Sequence, residues 1–188
     1  FGGFDFTAAD LTRSDFVANG YKKGVPMGAD LRVDASVGAD GTPSKPGAAP
    51  SFLVRAARSA DGANLDRVQM IKGWSDKDGQ THEKIYDIAW SGTRKIGKNG
   101  KLPPVGNTVN AKEATYNNSI GTPVLEAYWK DPGFKADERA FYYVRVIEIP
   151  TPRWTTYDAK VFGVELPKGV PISLQERAYT SPMWYSPK

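Results

Sequence analysis

Two alternating runs face each other across an Asp-Gly turn, and no other feature restricts the fold of this chain as tightly. In residues 65–74, Val68, Met70 and Trp74 fall on one face; in residues 82–90, Tyr86, Ile88 and Trp90 do. A period of two sends successive side chains to opposite faces of a strand. Between the runs lies Ser75-Asp76-Lys77-Asp78-Gly79-Gln80, whose Asp-Gly step supplies the positive φ of a tight turn. The pattern predicts a β-hairpin.

More strands follow from similar runs. Residues 51–56 are short and β-favouring. Residues 140–149 form a long run with Tyr142, Val144 and Val146 on one side and Phe141, Tyr143, Ile147 and Ile149 on the other, so both faces are expected to be partly covered. Residues 160–164 are a weaker strand candidate, and residues 175–180 lead into a last strand around Met183-Trp184-Tyr185. A loop-rich insertion at 93–139 carries Pro103-Pro104, Asn117-Asn118 and Asp131-Pro132-Gly133. Within it, Thr122 as cap and Pro123 at the first helical position predict a short helix over 121–129. Strands separated by long polar loops predict a mainly β chain: an antiparallel Ig-like β-sandwich with long loops, a few short helices and an N-terminal helical appendage.

The appendage is residues 1–34. Thr7 is a good N-cap with Asp10 in the first turn, and a second start is available at Thr12 or Ser14. Asn19-Gly20 reads as a C-terminal stop, which predicts one or two helical turns between Ala8 and Ala18. Residues 35–50, rich in Gly, Ala and Pro, read as a linker. The sandwich would then occupy 51–188.

Composition mostly excludes. The 188 residues hold 25 Lys plus Arg against 21 Asp plus Glu, for a net charge of +4. That length supports a real core. Cysteine is absent, which removes disulfides, thiolate nucleophiles and cysteine metal cages. His82 is the one histidine, so a zinc site of the usual kind lacks its ligands and no metal ligand is assigned. The basic stretch at Arg94, Lys95, Lys98 and Lys101 reads as a solvated loop rather than a phosphate site, and no nucleic-acid partner is expected. No apolar run is long enough to span a membrane, and no membrane partner is expected. The start at Phe1-Gly2-Gly3-Phe4, without an initiator Met, reads as a piece of something longer.

Three acidic or basic spots have ordinary readings. Asp76, Asp78 and Glu83 lack the full EF-hand spacing and fit a hairpin turn. Residues 61–66 read as a loop entering a strand. His82 has no Gly-x-Ser-x-Gly elbow to serve. The segment 151–158 is more informative. It places Arg153, Trp154, Tyr157 and Asp158 within six residues, leaving the long strand between Pro150 and Pro152. Such a loop presents Arg153 to a phosphate or carboxylate and Trp154 and Tyr157 to a sugar face. The alternative is a structural corner in which Trp154 fills the sandwich end and Arg153 pairs with Asp158. These four are the substrate-binding candidates; no catalytic residue is assigned.

Several stretches carry a family resemblance together. They are Phe4-Asp5-Phe6-Thr7-Ala8-Ala9-Asp10-Leu11, Asp61-Gly62-Ala63-Asn64-Leu65-Asp66-Arg67, Ile149-Pro150-Thr151-Pro152-Arg153-Trp154-Thr155-Thr156-Tyr157-Asp158, and Gln175-Glu176-Arg177-Ala178-Tyr179-Thr180-Ser181-Pro182-Met183-Trp184-Tyr185. The chain resembles the C-terminal part of a family of large bacterial proteins of unknown function. Their N-terminal half looks like a PHP (polymerase and histidinol phosphatase) metallo-phosphoesterase. The resemblance implies that residues 1–34 are the tail of that preceding domain, that a divalent metal sits there and not in this chain, and that the parent is periplasmic or extracellular. It implies a non-catalytic β-sandwich supporting a metal-dependent hydrolase domain, its partner. The alternative is a carbohydrate- or polymer-binding module, taking a small-molecule or glycan ligand, which requires coplanar exposed aromatics; Trp129, Trp154 and Trp184 are the ones to inspect.

Overall fold

The computed structural model describes residues 1–31 and 47–187. Most of the expected linker at 35–50 therefore lies outside the described residues. The chain is mainly β. Its strands are β1 (Gly2–Gly3), β2 (Asp30–Leu31), β3 (Ser51–Ala57), β4 (Leu65–Ser75), β5 (Thr81–Trp90), β6 (Val124–Lys130), β7 (Arg139–Glu148), β8 (Thr151–Pro152), β9 (Ser173–Leu174), β10 (Arg177–Tyr179) and β11 (Met183–Tyr185). Among the described residues there are also two helices, α1 (Phe16–Lys23) and α2 (Trp154–Phe162), and a 3-10 turn at Ala8–Thr12.

The expected hairpin is β4–β5, in antiparallel register from Ser75↔Thr81 to Arg67↔Trp90 with a bulge after Val68. Its turn is organised by Asp76, whose Oδ1 accepts from the backbone N–H of Asp78 and of Gln80, while Gly79 takes φ +77°. The long strand is β7, which pairs β4 along its whole length. The sheet runs β2-β11-β7-β4-β5, and β10 adds to the same edge of β7 as β11. Thr180 bridges the break between β10 and β11 by exchanging hydrogen bonds with the Val144 backbone. A smaller sheet, β1-β3-β6, packs across the inner face. The result is a two-sheet sandwich.

Alternation decides the core. Val68, Met70, Tyr142 and Val144 point inward from β4 and β7, meet Phe52 and Leu125 from the small sheet, and are nearly inaccessible to water. Tyr142 lies 4.8 Å from Phe52, centroid to centroid. Buried apolar area of this kind is the main stabilising term.

The first 31 residues pair and pack with both sheets. Gly2 registers with Phe52, and Leu31 with Tyr185 in a parallel pair. Phe4 and Leu31 enter the main core, and Phe6, Phe16 and Leu53 make a second cluster. Thr7 opens the 3-10 turn as expected: its N–H and hydroxyl both donate to Asp10 Oδ2. Asn19-Gly20, however, does not stop α1, which continues to Lys23 and ends at Gly24.

Two further expectations are corrected. Residues 121–129 form no helix: Val124–Lys130 is β6, in register with β3 from Ala57↔Val124 to Ser51↔Lys130. Residues 160–164 form no strand: Lys160 to Phe162 complete α2, and Gly163 closes it in the left-handed region at φ +64°.

Candidate functional site

The segment read as a loop at 151–158 is a short strand followed by a helix. Thr151–Pro152 pairs with Ser173–Leu174, and Arg153, still extended, becomes the N-cap of α2. Pro152 ends the strand, and no proline follows to interrupt the helix. Thr156 anchors α2 by donating its hydroxyl to the Ile172 carbonyl at 2.7 Å, which also accepts from the Arg153 N–H. Lys160, which lines a shallow groove of about 410 Å³ with Thr156 and Ile172, pairs with Glu113 at 3.0 Å.

The four candidate residues are thereby brought onto one helix and its cap. Trp154, Tyr157 and Asp158 stand at i, i+3 and i+4, which is one helical face. That face points to solvent. Trp154 is 64% exposed, and Tyr157 is exposed with it, so Trp154 does not fill the sandwich end. Among the described residues no ion pair joins Arg153 to Asp158. The helix is inverted relative to an ordinary surface helix. Small Thr156 is its buried residue, while Val161 (75%), Phe162 (72%) and nearby Val164 continue the exposed apolar stripe.

The buried charged groups, and one hairpin pair, serve the fold. Asp66 is fully buried between Arg94 Nη2 at 2.7 Å and Arg67 Nε at 3.0 Å, and it accepts from Gln175 Nε2 at 2.9 Å. Asn64, from the same motif, is held by Asn118 and Ile120. Arg94 is thus part of the structure rather than of a free basic loop. His82 bonds Asp76 at 2.7 Å and stacks on Trp74; that bond, the first influence on Asp76, holds its carboxyl below the usual aspartate range. Among the described residues no three His, Asp or Glu side chains gather as metal ligands.

The three tryptophans separate. Trp129 packs inside against Phe52 and Tyr86. Trp154 stands on α2. Trp184 lies on the outer face of the large sheet, beside Phe141 at 5.3 Å. That face also carries Tyr143 and Tyr179. The alternation of β7 marks Phe141 and Tyr143 as facing away from Tyr142.

The fold and its surface define a class: a β-sandwich whose buried charged groups are paired within the structure and which exposes large apolar side chains on α2 and on the outer face of the large sheet. The chain belongs to the family described as protein of unknown function (DUF3604), which matches residues 1–187. Comparison with curated proteins finds no match, and neither does comparison with solved structures.

Proposed function

We propose that this chain is a non-catalytic β-sandwich that supports a PHP-like metal-dependent hydrolase domain of the same polypeptide, docked on the outward face of α2. The observation that carries this reading is the inverted helix. Trp154, Tyr157, Val161 and Phe162 form a continuous exposed stripe, and contiguous apolar surface of this kind marks an interaction site. The resemblance of the sequence supplies the occupant. In this reading the divalent metal belongs to the hydrolase domain, the parent works in the periplasm or outside the cell, and Arg153 and Asp158 rim the junction.

Hydrogen exchange on the full-length natural polypeptide and on the 188-residue chain tests it. The expected result is protection of residues 154–164 in the longer protein only, with bound divalent metal present only there. Val161→Asp should remove that protection while leaving the isolated chain within about 0.5 kcal/mol of its original stability, as for an exposed substitution. Equal exchange of α2 in both proteins overturns the reading.

A further inference from the structure

The outer face of the large sheet carries a second, independent surface. Cross-strand partners share a face, so the ladders give its rows directly. One row runs Glu83–Gly73–Phe141–Trp184, the next Ile85–Ile71–Tyr143, and the third Asp87–Gln69–Arg145–Tyr179. The partly buried rings of Phe141 and Tyr143 are 11° from parallel, and the exposed rings of Trp184 and Tyr179 lie beside them at 5.3 and 6.3 Å between centroids, tilted by 47° and 41°. Trp184 and Tyr179 are half exposed. Gly73 leaves room for Phe141 to lean across β4, since a Cβ there would stand 2.3 Å from the ring.

The polar groups between the rings are already ordered. Gln69 donates to Asp87 at 2.7 Å and accepts from Arg145 at 2.8 Å. The neighbouring Arg145 and Arg177 guanidiniums hold the Tyr179 phenol below the usual tyrosine range. Among the described residues Arg139, Arg145 and Arg177 enter no ion pair, so three guanidiniums on β7 and β10 stand without a carboxylate.

We propose that this face binds an extended acidic polysaccharide, with sugar rings on Phe141, Tyr143, Tyr179 and Trp184 and carboxylates on the arginines. Sugar rings offer an apolar C–H face to an aromatic ring and a hydroxyl rim to fixed polar groups, and this surface interleaves both. The unpaired guanidiniums supply the charge complement, in the fork geometry that suits a carboxylate. A protein partner would favour an interface centre depleted of charge, which the Asp87–Gln69–Arg145 row is not. Single-stranded nucleic acid is also a regular polyanion, and its binding is a separate outcome of the test.

The test is affinity electrophoresis and calorimetry of the 188-residue chain with polygalacturonate and alginate, against neutral xylan and dextran and against single-stranded DNA. The expected result is binding to one or both acidic polymers, weakened by salt, and weakened at least tenfold in Trp184→Ala and in Arg177→Gln. Tyr179→Ala, at a more exposed position, is the second aromatic variant, and an unchanged thermal midpoint shows that a variant remains folded. Binding to no polysaccharide, equal binding to the neutral polymers, tighter binding to DNA, or acidic-polymer binding that folded variants leave unchanged overturns the proposal.

Discussion

Lys72 sends its ammonium into the sandwich, where water does not follow. Its Nζ lies 2.6 Å from Asp131 Oδ2 and donates to the Gly133 carbonyl at 2.8 Å. The Tyr142 hydroxyl donates to the same carboxylate oxygen at 2.7 Å. Burial first, and then the neighbouring carboxylate, push the Tyr142 phenol far above its ordinary range, so it remains a donor. A buried pair adds little relative to an apolar replacement, but removing one partner strands the other charge. Asp131→Asn should therefore cost about 3–5 kcal/mol, read as a lower urea midpoint with an unchanged slope. Asp10 gives a pH-dependent counterpart. Burial raises its pKa, but hydrogen bonds from Lys23, Thr7 and Asn19 outweigh that and bring it down to about 2, against an ordinary 3.8. A depressed carboxylate stabilises the fold above its unfolded pKa and loses that contribution as pH falls through the folded value. About 2 kcal/mol should thus be present at pH 6 and fade between roughly pH 4 and pH 2. In Asp10→Asn the acid limb of a stability-against-pH curve should be correspondingly flatter.

At the scale of elements, β4 and β7 are joined on their outer side by an aromatic ring lying over a glycine. In Gly73→Ala the new Cβ would meet Phe141 at 2.3 Å, and the ring must lift. The expected loss is about 1–3 kcal/mol, as for other overpacked sites. Phe141→Ala in the same chain should return part of it, a coupling that a double-mutant cycle on unfolding free energies measures directly. This pairing also shows how far the elements were legible. The strands β4, β5 and β7 announce themselves by alternation in the sequence, and in β7 the burial follows it, with Tyr142 and Val144 buried and Phe141, Tyr143 and Arg145 only partly so. The strand β6 carries that signal too, in inward Leu125 and Ala127, but Thr122-Pro123 imitates a helix start. Pro123 instead lies just before an edge strand, where no ladder bond needs its N–H. The helix α2 was hidden for the opposite reason. Its large apolar side chains face outward, so its periodicity does not describe the core, and its sequence is rich in aromatic and β-branched residues with modest helix propensity. The Asp66–Arg94–Gln175 cluster had no local signature at all: its members lie far apart in sequence and meet only when the sheet forms.

For the molecule as a whole, the question is whether the first segment belongs to the sandwich. Each edge of the fold answers in the same direction. The strand β1 extends the small sheet beside β3, and β2 closes the large sheet beside β11. Phe4 contacts Tyr185 and Phe134 in edge-on geometry, Leu31 is buried in the same core, and Phe6 and Phe16 cover Leu53. Full burial of a large apolar side chain contributes roughly 1.5–3 kcal/mol. Losing Phe4, Phe6 and Leu31 together would remove on the order of 5–9 kcal/mol, comparable with the entire stability of an ordinary domain. Two strand edges would also be opened to solvent and to other chains. A fragment of residues 47–188 should therefore show no cooperative thermal transition and should bind a hydrophobic dye, whereas the 188-residue chain unfolds in one step. A fragment that melts cooperatively near the midpoint of the longer chain would instead make residues 1–31 an attachment, and would move the boundary of the folding unit into the segment beyond Leu31.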